Sequence, residues 1–594
     1  MRDVHSKARL GQGKIQHLAI RLRPDFDQTT IYFRARYIMD RPVRRDLHLD
    51  ARDIHLDRAR SHGTRLSFDF DQDDPLLGQR LVLHDLHGSN EFVLEGKCSP
   101  TASALQWLTP QMTTGGLQPF LYTQCQAIHA RSLFPCQDTP AVRFTFDAEV
   151  EIPDNLTAVM GAAFRGKTGR KSLQAFRFRM PQPIPSYLFA LAVGDLEFRP
   201  TSKRCGVFAE PGLADAAAWE FGRAEAMIQI AESMYGPYLW GRYDILVLPK
   251  GFPWGGMENP RLTFLSPSLI AGDRSFDRTV AHELGHAWTG NLVTNATWED
   301  FWLNEGWTTY IQQRLDEAID GTELVSFSRR SSADQLSAEF RRLKEHPERT
   351  ALKFAMEGVD PDEALSSVPY VKGSMFLHAI EQAVGRERFD RFARAYIRRF
   401  SFRPITTDTF LRFLKAQLPG IERRVLLWTW IYRRGLPPDP PRVRSDLYRQ
   451  VRTVQNRFKA GFPPTRQEVS GWHMHQICMF LDMLPEQVSL GECLAIEEAF
   501  ALKESKNYAV LGYYYPHAVR AGYKEALPRI RSYLATHGIL FYLRLVFGAL
   551  AATGWSREQA RQLYAENRPA YHPITQRIIE QILSEAGMEA GPPV

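Results

Sequence analysis

The chain has 594 residues, which at roughly 100 to 200 residues per domain is material for about three to five units with cores of their own. Its 74 lysines and arginines against 67 aspartates and glutamates leave a charge of +7, spread along the length with acids interleaved, so no concentrated nucleic-acid-binding surface is expected. No uncharged apolar run reaches the roughly 18 residues of a membrane span, and the six cysteines are scattered without a CxxC pair, which argues against a membrane anchor, a disulfide framework and a thiolate zinc site and fits a reducing cytoplasm.

The first twenty residues are basic but lack the apolar core of a secretion signal. The first third reads as strands. In "VRFTFDAEVEI", Val142, Phe144, Phe146, Ala148, Val150 and Ile152 alternate with Arg143, Thr145, Asp147, Glu149 and Glu151, the period of a half-buried sheet. This unit is assigned to residues 1–195. From "DAAAWEFGRAEAMIQIAESMYG" the spacing is helical and then mixed, giving a second unit over 196–436. The stretch "GLPPDPPRV" is a stiff proline-rich linker, 437–447, and 448–594 is helical throughout with no fixed-period repeat. In "ATGWSREQARQLY", Gly554 reads as a helix stop and Ser556 with Gln559 as a capping box.

The segment "TVAHELGHAWTGNLVTNATWEDFWLNEGWTTY" carries the chemistry. His282 and His286 fall one helical turn apart on one face, where two ring nitrogens can bind one ion, and Glu283 lies beside them. Glu305, eighteen residues past His286, is the third ligand if a second helix starting after Asn304 returns alongside the first. Two histidines and one carboxylate leave a zinc position open for water, the arrangement of a hydrolytic rather than a structural site. Glu283 is then the general base, and the reaction is hydrolysis of an amide. Upstream, "FPWGGMENP" reads either as a plain Gly-Gly turn or as Gly255 and Gly256 placed for close backbone approach, with Met257 and Glu258 following; downstream, Tyr370 is either a buried structural tyrosine or a donor to an oxyanion. His473 and His475 in "HMH" read as structural or solvated.

With "LYTQCQAIHARSLFPCQDTP", "FPWGGMENPRLTFLSPSLIAGD", "HAWTGNLVTNATWEDFWLNEGW" and "SSVPYVKG" the sequence resembles the M1 family of zinc aminopeptidases, in the branch of leukotriene A(4) hydrolase and aminopeptidase B, from about Lys14 to the C-terminus. The resemblance implies a multidomain α+β fold: a saddle-like N-terminal β domain, a thermolysin-like catalytic domain and a C-terminal α-helical superhelix of armadillo or HEAT type. It implies one Zn²⁺ per chain held by His282, His286 and Glu305, with Glu283 as base and Tyr370 as transition-state donor. Glu258 would anchor the free amine of a peptide, with Gln124, Gln126, Gly255, Gly256 and Met257 around it. Asp362 matches an acidic pocket residue that favours basic first residues. The expected protein is a cytoplasmic, monomeric aminopeptidase acting on peptides with a free N-terminus, without nucleic-acid or membrane partners.

Two departures bear on specificity. Epoxide-hydrolysing members carry a tyrosine five residues before the catalytic one, where this chain has Leu365, and Trp254 replaces a pocket tyrosine. A bifunctional epoxide hydrolase and a gluzincin endopeptidase remain the alternatives, the first disfavoured by Leu365 and the second by Glu258. The family's Arg and Lys for the peptide carboxylate are replaced by Ile539 and Phe541 in "GILFY".

Overall fold

Strict alternation puts every second side chain of the strand Arg143–Pro153 into the interior, and the six apolar residues from Val142 to Ile152 are all buried. The strand pairs parallel with Ile15–Asp25 and antiparallel with Leu173–Pro185 in the middle of an eight-stranded sheet. The outer face is solvated and cross-linked by ion pairs such as Arg21–Glu149, Arg34–Glu95 and Arg36–Glu91. A separate four-stranded sheet contains Phe120–Thr123, and the chain leaving that strand carries Gln124 toward the centre of the molecule. The computed structural model describes residues 3–170 and 172–588, so the extreme ends of the first and last units, and Lys171, lie outside the described residues.

From Glu197–Pro200 the strands belong to another sheet, five-stranded and mixed, with a parallel centre of three strands and an antiparallel strand at each edge. Its edge is the short strand Gly256–Met257, antiparallel to Leu262–Leu265. Against this edge packs the helix Asp277–Gly285, with Trp302–Asp320 packed on that helix and Val368–Val384 on Trp302–Asp320. The Trp302 helix starts at Trp302 rather than after Asn304, so Glu305 sits in its first turn. The Trp302 and Val368 helices cross at Gly306 and Gly373. A Cβ on Gly306 would lie 2.8 Å from the Gly373 Cα, so hydrogen alone fits at the crossing.

The last quarter is a succession of helices from Asp446–Lys459 to Pro573–Glu585. The first begins inside the proline-rich segment, because the Ser445 hydroxyl accepts from the Tyr448 N–H at 3.1 Å and caps it. The expected capping box at Ser556 is absent. That hydroxyl donates to the Leu550 and Thr553 carbonyls, covering the end of the preceding helix Leu540–Ala552, and the next helix starts at Arg557 without a side-chain cap. His473, by contrast, is the cap of Met474–Asp482. The helical domain is pressed onto the loop 250–254. Leu540 N–H donates to the Pro253 carbonyl, and a Cβ on Gly538 would meet the Lys250 carbonyl at 1.9 Å.

Candidate metal and catalytic site

The twelve residues singled out from the sequence all line one cavity of about 330 Å³ between the edge strand, the three helices and the segment after Phe120–Thr123. Its centre is the histidine pair. His282 and His286 project from the Asp277 helix, and their Nε2 atoms lie 3.2 and 3.6 Å from one oxygen, Glu305 Oε2. That oxygen is buried and accepts no hydrogen bond among the described residues.

The far side of each ring fixes its tautomer. Gln312 donates its amide N–H to Asp316, which turns its carbonyl oxygen toward His282 Nδ1 at 3.1 Å. Thr308 donates to the Thr289 carbonyl, so its oxygen accepts from His286 Nδ1 at 3.2 Å. With Nδ1–H held on each ring, Nε2 is the atom that faces Glu305 and would bind a metal, His282 giving up its second proton to do so. The three donor atoms lie within 4.8 Å of one another. Two neutral nitrogens, an orphaned carboxylate oxygen and this spacing fit zinc with one position left for water. Gln312 and Thr308 had no signal in the sequence, since each lies 22 to 30 residues from the histidine it orients.

The electrostatics are those of an electron-rich site. Burial and the neighbouring Glu305 and Glu283 push the Glu258 carboxyl well above its usual range. Burial raises Glu283 to about 7, into the range of a general base near neutral pH. Burial opposes charge on His282, but Glu305 and Glu283 outweigh it and lift this ring to about 9; burial drops His286 to about 3. Glu305 itself is held low, since His286 and His282 overcome the effect of burial. Among the described residues no lysine or arginine pairs with Glu258, Glu283 or Glu305. Three buried carboxylates call for about three positive charges, which a divalent ion and one ammonium would supply.

Around this centre, Glu258 is 4 % exposed with Oε1 unpartnered, and its backbone carbonyl is fixed by Asn291 Nδ2 at 2.6 Å. Gly256 packs on Glu283 so closely that a Cβ would lie 2.5 Å from its Oε1. Tyr370 stacks on the His282 ring at 5.9 Å, and burial with the nearby Glu305 charge holds its hydroxyl protonated. Gln124 donates to Met257 Sδ, leaving its own amide oxygen free. Asp362 is bonded to His129 Nε2 at 2.7 Å, and His129 Nδ1 lies 2.8 Å from Ser103 Oγ. Trp254 meets His572 of the helical domain edge to face.

The fold and this cluster define a zinc metallopeptidase. Residues 16–188, 219–426 and 472–583 match, in turn, the peptidase M1 N-terminal domain, the peptidase family M1 domain and the leukotriene A4 hydrolase C-terminal domain. The chain belongs to peptidase family M1, in its leukotriene A4 hydrolase branch, and is a zinc-dependent aminopeptidase. It is 33 % identical to leukotriene A-4 hydrolase of Xenopus laevis over 98 % of this chain and 99 % of that one. Leucine aminopeptidase 2 of Neurospora crassa is 37 % identical over 83 % of this chain and 75 % of its own. The structure of yeast LTA4 hydrolase in complex with bestatin superposes with a TM-score of 0.89 at 30 % identity, covering 98 % of this chain and 97 % of that one.

Proposed function

We propose that the enzyme removes single residues from the free N-terminus of peptides, with His282, His286 and Glu305 holding the zinc. The observation that carries this reading is Glu258, a buried carboxylate with an unpaired oxygen beside the histidine pair. A substrate ammonium paired there limits cleavage to the first peptide bond. When bound, zinc supplies Lewis-acid polarisation of the scissile carbonyl and lowers the pKa of a water molecule. Glu283 takes the proton of the attacking water and passes it to the departing amine. Tyr370 donates to the carbonyl oxygen as negative charge gathers on it. Gln124 and Gln126 line the amine side, and Gly255, Gly256 and Met257 present backbone along the substrate.

The first side chain enters a pocket with Trp254 and Leu365 on its walls and Asp362 within reach, a shape that accepts apolar stems and basic heads. Leu365 offers no hydroxyl, which supports peptide rather than epoxide chemistry. The enzyme is read as a monomer, and all six cysteines are free, which supports a reducing cytoplasm. The domain limits proposed are 1–195, 196–436 and 448–594, with 437–447 between the last two.

The test is a panel of aminoacyl fluorogenic amides beside their N-acetyl forms. Blocked substrates are expected to be cleaved at least 100-fold more slowly, as losing one partner of a buried charge pair costs about 2 to 5 kcal/mol. Equal rates would make the enzyme an endopeptidase.

A further inference from the structure

A second cavity, of about 490 Å³, lies where the last strands of the eight-stranded sheet meet Glu197–Pro200 and Cys205–Ala209. Its volume falls in the range of small-molecule sites, about 300 to 1,000 Å³. Five phenylalanines line it: 164, 176, 178, 198 and 208. Two of them are unusually open for their type, Phe164 at 56 % and Phe198 at 39 % exposure. Charged groups in the wall are confined to Arg242, Asp244 and Arg261.

The three differ in what they already hold. Arg242 is fully engaged, with Nη2 2.7 Å and Nε 2.9 Å from the Asp244 carboxylate and Nη1 on the Lys203 carbonyl. Arg261 is only half used. Its Nη1 donates to the Trp240 carbonyl and Nε is enclosed without an acceptor, while Nη2 is open and has no acceptor among the described residues. Leaving such a donor unmet costs about 1 to 3 kcal/mol, more for a charged group. The open Nη2 of the guanidinium can give a carboxylate oxygen a charge-assisted hydrogen bond. Because Asp244 neutralises Arg242, the site has one net positive charge, which selects a singly charged head over a phosphate dianion.

We propose that this cavity is a binding site for a small amphipathic carboxylate, its hydrocarbon body among the phenylalanines and its head on Arg261. Arg261 follows Glu258 by three residues, through a turn closed by the Leu262 N–H on the Asn259 carbonyl. The site therefore shares a segment with the proposed amine anchor while lying outside the catalytic cavity.

Calorimetric titration of the zinc-loaded full chain with nonanoate tests it. One equivalent is expected to bind, 1-nonanol is expected to bind at least 10-fold more weakly, and saturating leucine hydroxamate at the zinc is expected not to displace the acid. Arg261→Gln should weaken nonanoate at least 10-fold. Should that variant fold poorly, Phe164→Ser, at an exposed position, should keep the wild-type far-UV spectrum and weaken binding several-fold. The proposal is overturned by equal affinity for acid and alcohol, by displacement with the hydroxamate, or by wild-type affinity in either folded variant. Sedimentation showing a dimer that Phe164→Ser dissociates would assign the phenylalanines to a second copy and overturn it equally.

Discussion

Gly256 and Glu283 touch so closely that a methyl group added to the first would stand 2.5 Å from Oε1 of the second. The edge strand and the proposed base are thus one fitted part. In Gly256→Ala, Glu283 must turn away from the reacting water, and misplacement by about 1 Å can cost on the order of 100-fold. We expect kcat/KM to fall by about that factor with zinc content unchanged, measured by steady-state kinetics beside metal analysis. Full activity in the alanine variant would mean that Glu283 works from another rotamer.

Gln312 connects His282 to Asp316, and it sets which ring nitrogen carries the proton. Replacing it with leucine frees His282 to turn and to adopt the other tautomer. Losing such a partner typically costs 10- to 100-fold in metal affinity, so Gln312→Leu should show that loss in competition with a zinc chelator. Unchanged affinity would leave Thr308 and the Glu305 carboxylate as sufficient to orient the site.

Asp362 reaches the first-residue pocket already bonded to His129. If a basic first residue pairs with it, Asp362→Asn should lower kcat/KM for an arginyl amide about 10-fold relative to a leucyl amide, a difference of about 1.4 kcal/mol. A constant arginine-to-leucine ratio would show that His129 keeps the acid to itself.

At the positions where the family resemblance expects the peptide-carboxylate clamp, Ile539 is buried at the start of its helix and Phe541 is 45 % exposed and set against Tyr513 and Tyr542. Neither can bond a carboxylate. A tripeptide and its C-terminal amide are therefore expected to differ only a few-fold in kcat/KM. A loss of 30-fold or more on amidation, about 2 kcal/mol, would show a cation in the clamp, and Arg544→Ala would then be the variant to compare.

Glu381 gives a pH signature apart from the site. Burial raises its carboxyl, but the bonds from His378, Arg386 and Tyr310 prevail and hold it at about 2 against a usual 4.5. A depressed folded value means stability that is complete above about pH 4.5 and lost as pH falls toward 2, about 3 kcal/mol in all. In urea unfolding at pH 6 and pH 3, the gap between wild type and Glu381→Gln should narrow by about 2 kcal/mol. Acid release of zinc affects both proteins and cancels in the comparison. A gap that stays constant would show that Glu381 is not held low.

The sequence made the candidate ligand cluster legible because its spacing is local: one helical turn separates the histidines, and Glu305 follows on the next helix. Alternation likewise exposed the strand at Val142–Ile152. What escaped was long-range or reciprocal. His129 and Asp362 stand 233 residues apart, so neither signals the other, although His129 lies inside the quoted "CQAIHARS". Ser556 has the residue type of a cap, yet its hydroxyl is turned back to donate to the Leu550 and Thr553 carbonyls ending the preceding helix, so its oxygen accepts from no N–H of the next one. The phenylalanines of the second cavity come from four strands, and Arg261 from the turn before a fifth, which meet only in the folded chain.

The glycine crossing of the Trp302 and Val368 helices joins Glu305, one residue before Gly306, to Tyr370, three before Gly373. With no side chain between the backbones, neither helix can slide or tilt without carrying the other. The third proposed ligand and the proposed oxyanion donor should therefore breathe as a single unit: in native-state hydrogen exchange, amides in the first turns of both helices would share one opening free energy and one response to zinc removal. Catalytic alignment in this enzyme is then inherited from backbone contact, and each glycine constrains what evolution can place at the other.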